Sequence, residues 1–302
     1  MEGVMMKNQE KYAVAVRKPD HEIEVKVSEY TGIIRNKKIR NMPVLRGVFS
    51  FIESLVLGMQ TLTYSASFFE DEEVDEKKKE PITEEERRRQ EQKEKKQENV
   101  MMGGTVVLSI VLAVAIFMML PYYLSTLFQK VITSQWLIAL TEGVIRLVIF
   151  IGYVALISLM KDIRRVYMYH GAEHKCINCI EHGMDLTVES SRFHKRCGTS
   201  FLLIVMLVSI LFFMFIRVDS PILRVVLRLL LIPVIAGVSY EFIRLAGRSD
   251  NAVVNLLSKP GLWLQGLTTK EPDDEMIEVG IASVEAVFDW KPYVEEIRRE
   301  MK

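Results

Sequence analysis

The side chains of this chain that could do chemistry are concentrated between His170 and Cys197. This 28-residue window holds four of the five histidines and all three cysteines of the 302 residues. Imidazole and thiolate groups are the ligands that Zn²⁺ favours in proteins. Three cysteines are too few for a secreted disulfide framework, which favours a reducing compartment. The window therefore predicts a site for a divalent metal ion, with Zn²⁺ as the expected cofactor.

The window opens with a His-x-x-Glu-His motif formed by His170, Glu173 and His174. On a helix, residues four apart share one face, so both imidazoles could reach one ion. The motif is the inverted form of the zinc-hydrolase motif His-Glu-x-x-His. In such sites the histidines are ligands and the glutamate is a general base. We therefore expect His170 and His174 to bind metal and Glu173 to be catalytic.

A catalytic zinc needs a third protein ligand and an open fourth position. His194 and Cys197, about twenty residues further on, are the candidates for the third ligand. Cys197 directly precedes the expected start of an apolar helix. The amino-terminus of a helix lowers the pKa of a thiol and so favours the thiolate that a metal binds.

A competing arrangement uses other members of the same window. Cys176, Cys179, His194 and Cys197 form a complete four-ligand set with spacing like that of a zinc knuckle. Such a site would be closed and structural, and would leave His170 and the second histidine of the motif to other roles. Both arrangements predict a metal, but only the first predicts hydrolysis.

The elements around the window are apolar and long. Four segments approach the ~20 apolar residues that a hydrocarbon core of ~30 Å requires. They are residues 103–124, 136–160, 200–217 and 222–243. The second segment has no helix breaker near Met160, so its helix is expected to continue as far as Gly183. The sequence thus predicts a mainly α, polytopic helical membrane protein of about four spans.

Lys and Arg residues outside these segments predict the orientation, because they are enriched on the cytoplasmic side. Residues 70–99, before the first span, have nine, and the loop between the second and third spans has seven. The loop between the first and second spans has only Lys130. A multi-pass protein of the cell membrane is expected, with the metal segment 161–199 and both termini cytoplasmic.

The amino-terminal region, residues 1–43, is β-rich in pattern. Residues 12–17 and 22–27 alternate around a Pro/Asp turn, which predicts a hairpin. Three isoleucines could add a further strand: Ile33, Ile34 and Ile39. Residues 44–69 then predict an amphipathic or membrane-associated helix, with a buried span as the alternative.

Residues 70–99 carry thirteen acidic and nine basic side chains, which predicts an exposed charged helix or linker and a surface for a protein partner. The whole chain balances 39 basic against 39 acidic residues, so no nucleic-acid partner is expected. Residues 244–302 predict a cytoplasmic helical region. Within it, Pro260 and Gly261 are expected to break the chain, and Trp263 could anchor an interfacial helix at the lipid headgroups.

Two pairs of charged residues could serve either structure or function. Glu142 and Arg146 lie four apart inside the second span, which favours a structural ion pair over an ion path. Lys175 and Arg196 lie within the metal segment. They could hold an anionic lipid or a phosphorylated substrate, or they could be ordinary cytoplasmic-side charge.

Three sequence blocks are specific enough to compare with known families: Tyr169-His170-Gly171-Ala172-Glu173-His174-Lys175, Arg196-Cys197-Gly198-Thr199-Ser200-Phe201 and Lys259-Pro260-Gly261-Leu262-Trp263-Leu264-Gln265. These blocks resemble the YqhQ family of bacterial multi-pass membrane proteins. The resemblance extends over nearly the whole chain. Members are described as predicted metal-dependent enzymes, which implies site roles for His170, Glu173, His174, His194 and Cys197. Cys176 and Cys179 do not belong to the family pattern, which weakens the competing arrangement of four ligands.

Two functional hypotheses follow from the sequence. The first is a membrane-embedded, cytoplasm-facing zinc hydrolase that uses a metal-activated water molecule. The second is a non-enzymatic membrane scaffold, in which a structural metal clamps the cytoplasmic helix ends and residues 70–99 recruit partners.

Overall fold

The structure is a computed structural model that describes most of the chain. The described residues are 2–32, 42–69, 100–101, 103–186, 190–216, 218, 220–247 and 251–301. The chain divides into two compact units, residues 1–69 with 151–302 and residues 70–150. The predicted charged segment 70–99 and the predicted strand residues 33–39 lie outside the described residues.

A small antiparallel sheet forms the amino-terminal region. Its strands are β1 (Gly3–Asn8), β2 (Lys11–Arg17) and β3 (Ile23–Glu29), in the order β1-β2-β3. The predicted hairpin is confirmed as β2 and β3, which pair from Lys11 with Glu29 to Arg17 with Ile23. The sequence analysis did not predict β1, which pairs with β2 along its whole length.

The rest of the described chain is mainly helical, as predicted. The helices are α1 (Leu45–Ala66), α2 (Gly103–Lys130), α3 (Gln135–Ile157), α4 (Lys161–Glu181), α5 (Gly198–Met214), α6 (Pro221–Ala246), α7 (Ala252–Thr268), α8 (Asp274–Glu285) and α9 (Trp290–Glu300).

Three of these helices are long and apolar enough to cross a membrane: α2, α3 and residues 222–246 of α6. The remaining predicted span, α5, has 17 residues. At ~1.5 Å per residue it is about 25 Å long, slightly short of a hydrocarbon core of ~30 Å. The prediction of a mainly α membrane protein is confirmed, with three full-length candidate spans and one shorter apolar helix.

The charged residues of α3 form an ion pair within the second unit. Arg146 lies 2.7 Å from the carboxylate of Glu142 and donates from Nε to the carbonyl of Phe117 at 2.9 Å. In a regular helix that carbonyl would accept from residue 121, but Pro121 has no N–H. Arg146 thus bonds the backbone of α2 near a π-helical turn at 115–119.

The prediction of one continuous helix across residue 160 is wrong. The second span ends at Ile157, and Met160 has an extended backbone with ψ 133° before α4 begins at Lys161. The charged start of α4 explains the change, because Asp162 favours the positive end of a new helix. The predicted stop near Gly183 is confirmed, since α4 ends at Glu181 and Gly183 has φ +66°.

One face of α4 packs in the hydrophobic core that it shares with the sheet and α8. The buried core residues come from β1, β2, α4, α8 and the segment that follows α4: Val4, Met6, Ala15, Tyr169, Ala172, Cys176, Cys179, Leu186, Met276, Val279 and Val284. Ser283 joins α8 to the sheet, because it accepts from the Met6 amide and donates to the Ala13 carbonyl, both at 3.1 Å. The sheet and α8 therefore hold α4 in place.

The predicted break at Pro260 and Gly261 is also wrong, because α7 runs unbroken from Ala252 to Thr268. Pro260 lies on the exposed side of the helix, where the loss of one hydrogen bond is tolerated. A Cβ at Gly261 would lie 2.9 Å from the Cβ of Ser200. The glycine thus lets α7 pack closely against α5.

The first helix, α1, packs along α6 at a close crossing. A Cβ at Gly47 would meet the Tyr240 side chain, and a Cβ at Gly237 would meet Val44. Arg46 forms an ion pair with Glu241 beside this crossing. Among the described helices, α1 does not reach the length and apolarity of a span.

Gly171 provides the first test of how α4 is positioned. A Cβ there would lie 2.1 Å from the carbonyl oxygen of Lys270, which is a backbone atom that cannot move freely. We expect Gly171→Ala to destabilise the protein by about 1–3 kcal/mol through overpacking. Thermal unfolding in detergent measures this. Gly266→Ala is the control, because nothing lies within 4 Å of its Cβ position, and a loss equal to that of Gly171→Ala would contradict the prediction.

Candidate metal centre

Three side chains from two segments meet beside the amino-terminus of α5. The potential ligand atoms of His170, His174 and Cys197 all lie within 4.8 Å of one another. The sulfur of Cys197 is 3.2 Å from Nε2 of His170, and the two imidazole centroids are 4.4 Å apart. Two nitrogens and one sulfur form a ligand set that suits Zn²⁺. Within the described part of the chain, these are the residues grouped closely enough to share an ion.

Backbone carbonyls fix the orientation of both imidazoles. Nδ1 of His170 lies 3.0 Å from the carbonyl of Thr268, and Nδ1 of His174 lies 2.6 Å from the carbonyl of Arg192. A carbonyl only accepts, so Nδ1 must carry a hydrogen in each ring. Nε2 is then the atom that each ring can offer to a metal. Ligating histidines are usually held this way.

Cys197 is the N-cap of α5. Its sulfur accepts from the Thr199 amide at 3.4 Å and lies 3.1 Å from the Thr199 hydroxyl. Burial raises the pKa of the Cys197 thiol, but hydrogen bonds with His170 and His174 and their positive charge lower it to about 5. The sulfur is therefore a thiolate at neutral pH, the form that binds a metal.

The imidazole of His170 shows the reciprocal effect. Burial lowers its pKa, but the hydrogen bond to Cys197, the negative charges of Cys197 and Glu173, and the Thr268 carbonyl raise it to about 9. Without a metal, His170 and Cys197 thus form an imidazolium–thiolate pair. A metal ion would replace the proton on Nε2, since ligands bind deprotonated.

Glu173 is a half-buried residue that lies beside this pair. Burial raises the pKa of this carboxyl group, and the positive charge of His170 and His174 opposes the rise. No described residue makes a hydrogen bond or an ion pair with it.

His194 is adjacent to the cluster but is directed elsewhere. Its ring centroid lies 5.8 Å from that of His174, and its Nε2 lies 3.1 Å from a carboxylate oxygen of Glu181. Burial raises the pKa of Glu181, but the bonds to His194 and Arg196 and their charge lower it overall. Of the two candidates for the third ligand, the structure brings Cys197 and not His194 into the group.

The two remaining cysteines lie on a different face of α4. Cys176 and Cys179 are both buried in the core between α4 and α8. Burial raises the pKa of Cys176 to about 12, which disfavours the thiolate. A Cβ at Gly280 would lie 3.0 Å from the Cys176 sulfur. In the described structure these residues serve packing, and the four-ligand alternative is not assembled.

The two basic residues considered as substrate contacts are each paired with a carboxylate. Lys175 is buried and lies 2.5 Å from Glu271 in the segment between α7 and α8. Arg196 is exposed and forms an ion pair with Glu181. The positive charge of each side chain is therefore balanced by a carboxylate in this structure.

The sequence analysis missed the residues that support the site from α7 and from α4. Gln265 is fully buried, accepts from the His194 amide at 2.9 Å, and donates to the His194 carbonyl and to Ser200 at 2.7 Å. Asn178 donates to the carbonyls of Ser191 and Phe193 at 2.6 and 3.0 Å. A polar residue such as Gln265 in an apolar helix was the signal available in the sequence.

The thiolate can be tested directly by its ultraviolet absorbance. In a Cys176→Ala/Cys179→Ala background, Cys197 is the single cysteine of the chain. We expect the thiolate absorbance of chelator-treated protein to rise as the pH increases through about 5. Adding His170→Ala removes the main hydrogen-bond donor, so the midpoint should move up towards the ordinary ~8.5 of a free thiol. A midpoint that stays the same after His170→Ala would contradict the ion pair. His182→Ala is the control.

Comparisons with known proteins place this cluster in a family. A sequence profile of the family described as "Protein of unknown function (DUF1385)" matches residues 42–290. The chain is 34% identical over 293 residues to "Uncharacterized protein YqhQ" of Bacillus subtilis (strain 168), covering 94% of this chain and 88% of that protein. No solved structure matches significantly. The resemblance inferred from the motifs is thus confirmed, and the chain belongs to the DUF1385 family.

Proposed function

We propose that this protein is a membrane-embedded, metal-dependent hydrolase whose site is formed by His170, His174 and Cys197, with Zn²⁺ as the metal. The observation that supports this most strongly is the paired anchoring of the two imidazoles. Each Nδ1 donates to a backbone carbonyl, and each Nε2 is left for the cluster that contains a thiolate. This arrangement is costly to build without a ligand, because it buries the His174 ring and a charged sulfur and holds the half-buried His170 ring against them.

The number of ligands favours catalysis over a closed structural site. Structural zinc sites use four protein ligands, whereas catalytic sites use three and keep one position open. His194, the nearest further candidate, is engaged with Glu181. A divalent ion in such a site lowers the pKa of a bound water molecule and polarises a carbonyl or phosphoryl group.

Glu173 is the proposed general base. It lies one residue before His174 on α4. The charges of His170, His174 and Cys197 all influence the pKa of its carboxyl group. Burial raises its pKa above that of an ordinary carboxyl group, which makes its carboxylate a stronger base. Its role is to take a proton from the attacking water and to return it to the leaving group.

We place the site on the cytoplasmic face of the cell membrane. The apolar helices are compatible with a lipid bilayer. The Lys and Arg residues on either side of the spans favour cytoplasmic termini and a cytoplasmic metal segment. An anionic substrate, such as a phosphorylated lipid, would compete with Glu271 for Lys175 and with Glu181 for Arg196. Residues 70–99 remain the proposed surface for a protein partner.

Metal content tests the premise of this proposal. Detergent-purified protein should carry about one zinc ion per chain, and His174→Ala and Cys197→Ala should each lose most of it because a ligand is removed. Elemental analysis of the purified proteins measures this. His182→Ala is the matched control, because its Nδ1 also bonds a backbone carbonyl, that of Asn178, but it lies outside the cluster. Equal metal content in all four proteins would reject the site.

Glu173→Gln tests catalysis separately from metal binding. The substitution keeps the size of the side chain but removes the base, so we expect metal content to be unchanged. Hydrolysis of ester and phosphoester lipids by zinc-loaded protein should fall by about 10²–10⁴-fold. Unchanged hydrolysis would exclude Glu173 as the base, and loss of the metal would show that it is a ligand.

The second candidate function, a non-enzymatic scaffold, is favoured by one observation. The cluster connects α4, the start of α5 and, through Thr268, the end of α7. A metal at this junction would clamp three helix ends even without catalysis. For a scaffold, Glu173→Gln would change neither metal content nor partner binding, so the same variant separates the two functions.

A further inference from the structure

The helix α7 has an unusual distribution of apolar residues between its two faces. Its exposed side chains are apolar apart from Lys259, and they recur every three or four residues: Ala252, Val253, Leu256, Leu257, Pro260 and Trp263. The four largest are 51–63% exposed. A helix on the surface of a water-soluble protein has the opposite pattern, with polar residues outside.

The buried face of α7 carries most of the polar groups. Ser258, Gln265 and Thr268 are buried, and Gly261 lies against Ser200 of α5. Gln265 and Thr268 bond to His194 and His170, so this face also supports the metal cluster. A helix with its polar groups inside and its apolar groups outside is arranged for a solvent less polar than water.

The outer face of α7 continues an apolar surface formed by its neighbours. The helix packs against α5 and α6. Every exposed side chain described in α5 and α6 is apolar, including Leu211 and Leu230. Residues 222–246 of α6 are a candidate membrane span. The apolar exposed faces of α5, α6 and α7 thus belong to helices that pack against one another.

Basic side chains lie along one edge of this face. Lys259 is exposed one turn before Trp263, and Lys195 is exposed with its Nζ 3.3 Å from Asn255 on α7. Long cationic side chains beside an apolar stripe can reach the phosphate groups of lipids. An aromatic residue such as Trp263 favours the same depth.

We propose that α7 lies in the bilayer interface, with Leu256, Leu257 and Trp263 in contact with lipid acyl chains and with Lys195 and Lys259 at anionic headgroups. The metal cluster then lies one helix away from lipid, on the inner face of α7. If the proposed hydrolase activity holds, on which this last step rests, the substrate is an amphiphile that reaches the site from the membrane.

Fluorescence quenching by brominated lipids tests the position of α7. The chain has three tryptophans, Trp136, Trp263 and Trp290. Full-length Trp136→Phe/Trp290→Phe protein retains Trp263 as the single fluorophore. It is reconstituted in vesicles of phosphatidylcholine and phosphatidylglycerol, with or without bromine on the acyl chains. Its emission should be strongly lost in brominated vesicles and little affected by aqueous acrylamide.

The matched control is Trp136→Phe/Trp263→Phe, which retains Trp290 at the start of α9, beside the hydrophobic core formed by the sheet, α4 and α8. Its emission should respond to acrylamide and not to brominated lipid. If Trp263 behaves like Trp290, or if it is shielded from both quenchers because protein covers it, the proposal is overturned. Zinc content is measured on the same vesicles. The position of α7 and the proposed zinc site are thereby tested independently, because either claim can fail while the other holds.

Discussion

Helix ends build the candidate site, and the hydrogen bond between His170 and the Thr268 carbonyl is the interaction on which the rest depends. The last carbonyls of a helix have no partner within the helix. Thr268 is the last residue of α7, and its carbonyl accepts from Nδ1 of His170. The first amides of α5 are likewise open, and the Cys197 sulfur accepts one of them. Unfilled backbone groups thus orient both an imidazole and a thiolate.

The second constraint is the solvent around the apolar helices. Because α5, α6 and α7 expose apolar side chains, their polar residues turn inwards and find partners within the protein. Gln265 is the clearest case, with bonds to the backbone of His194 and to the hydroxyl of Ser200. The same inward-facing polar side chains hold the backbone around the candidate metal site in place.

Some of this structure could be predicted from the sequence because it depends on local patterns. Hydropathy and length predicted the apolar helices, alternation predicted the hairpin of β2 and β3, and i,i+4 spacing placed His170 and His174 together. The choice between His194 and Cys197 depended on tertiary contacts, because Glu181 engages His194. The break at Met160 and the unbroken helix through Pro260 were missed, since local breaker rules do not include packing against neighbouring helices.

The close approach at Gly171 has a consequence for the length of the chain between α7 and α8. The Lys270 amide bonds the Tyr167 carbonyl at 2.9 Å, one turn away from the bond between Thr268 and His170. The two contacts join residues 268 and 270, which are two apart, to residues 170 and 167 of α4, which are three apart. They therefore fix the register between the end of α7 and α4. An insertion or a deletion at residue 269 would break that register. The spacing of this connection is thus as much a part of the site as the ligands themselves.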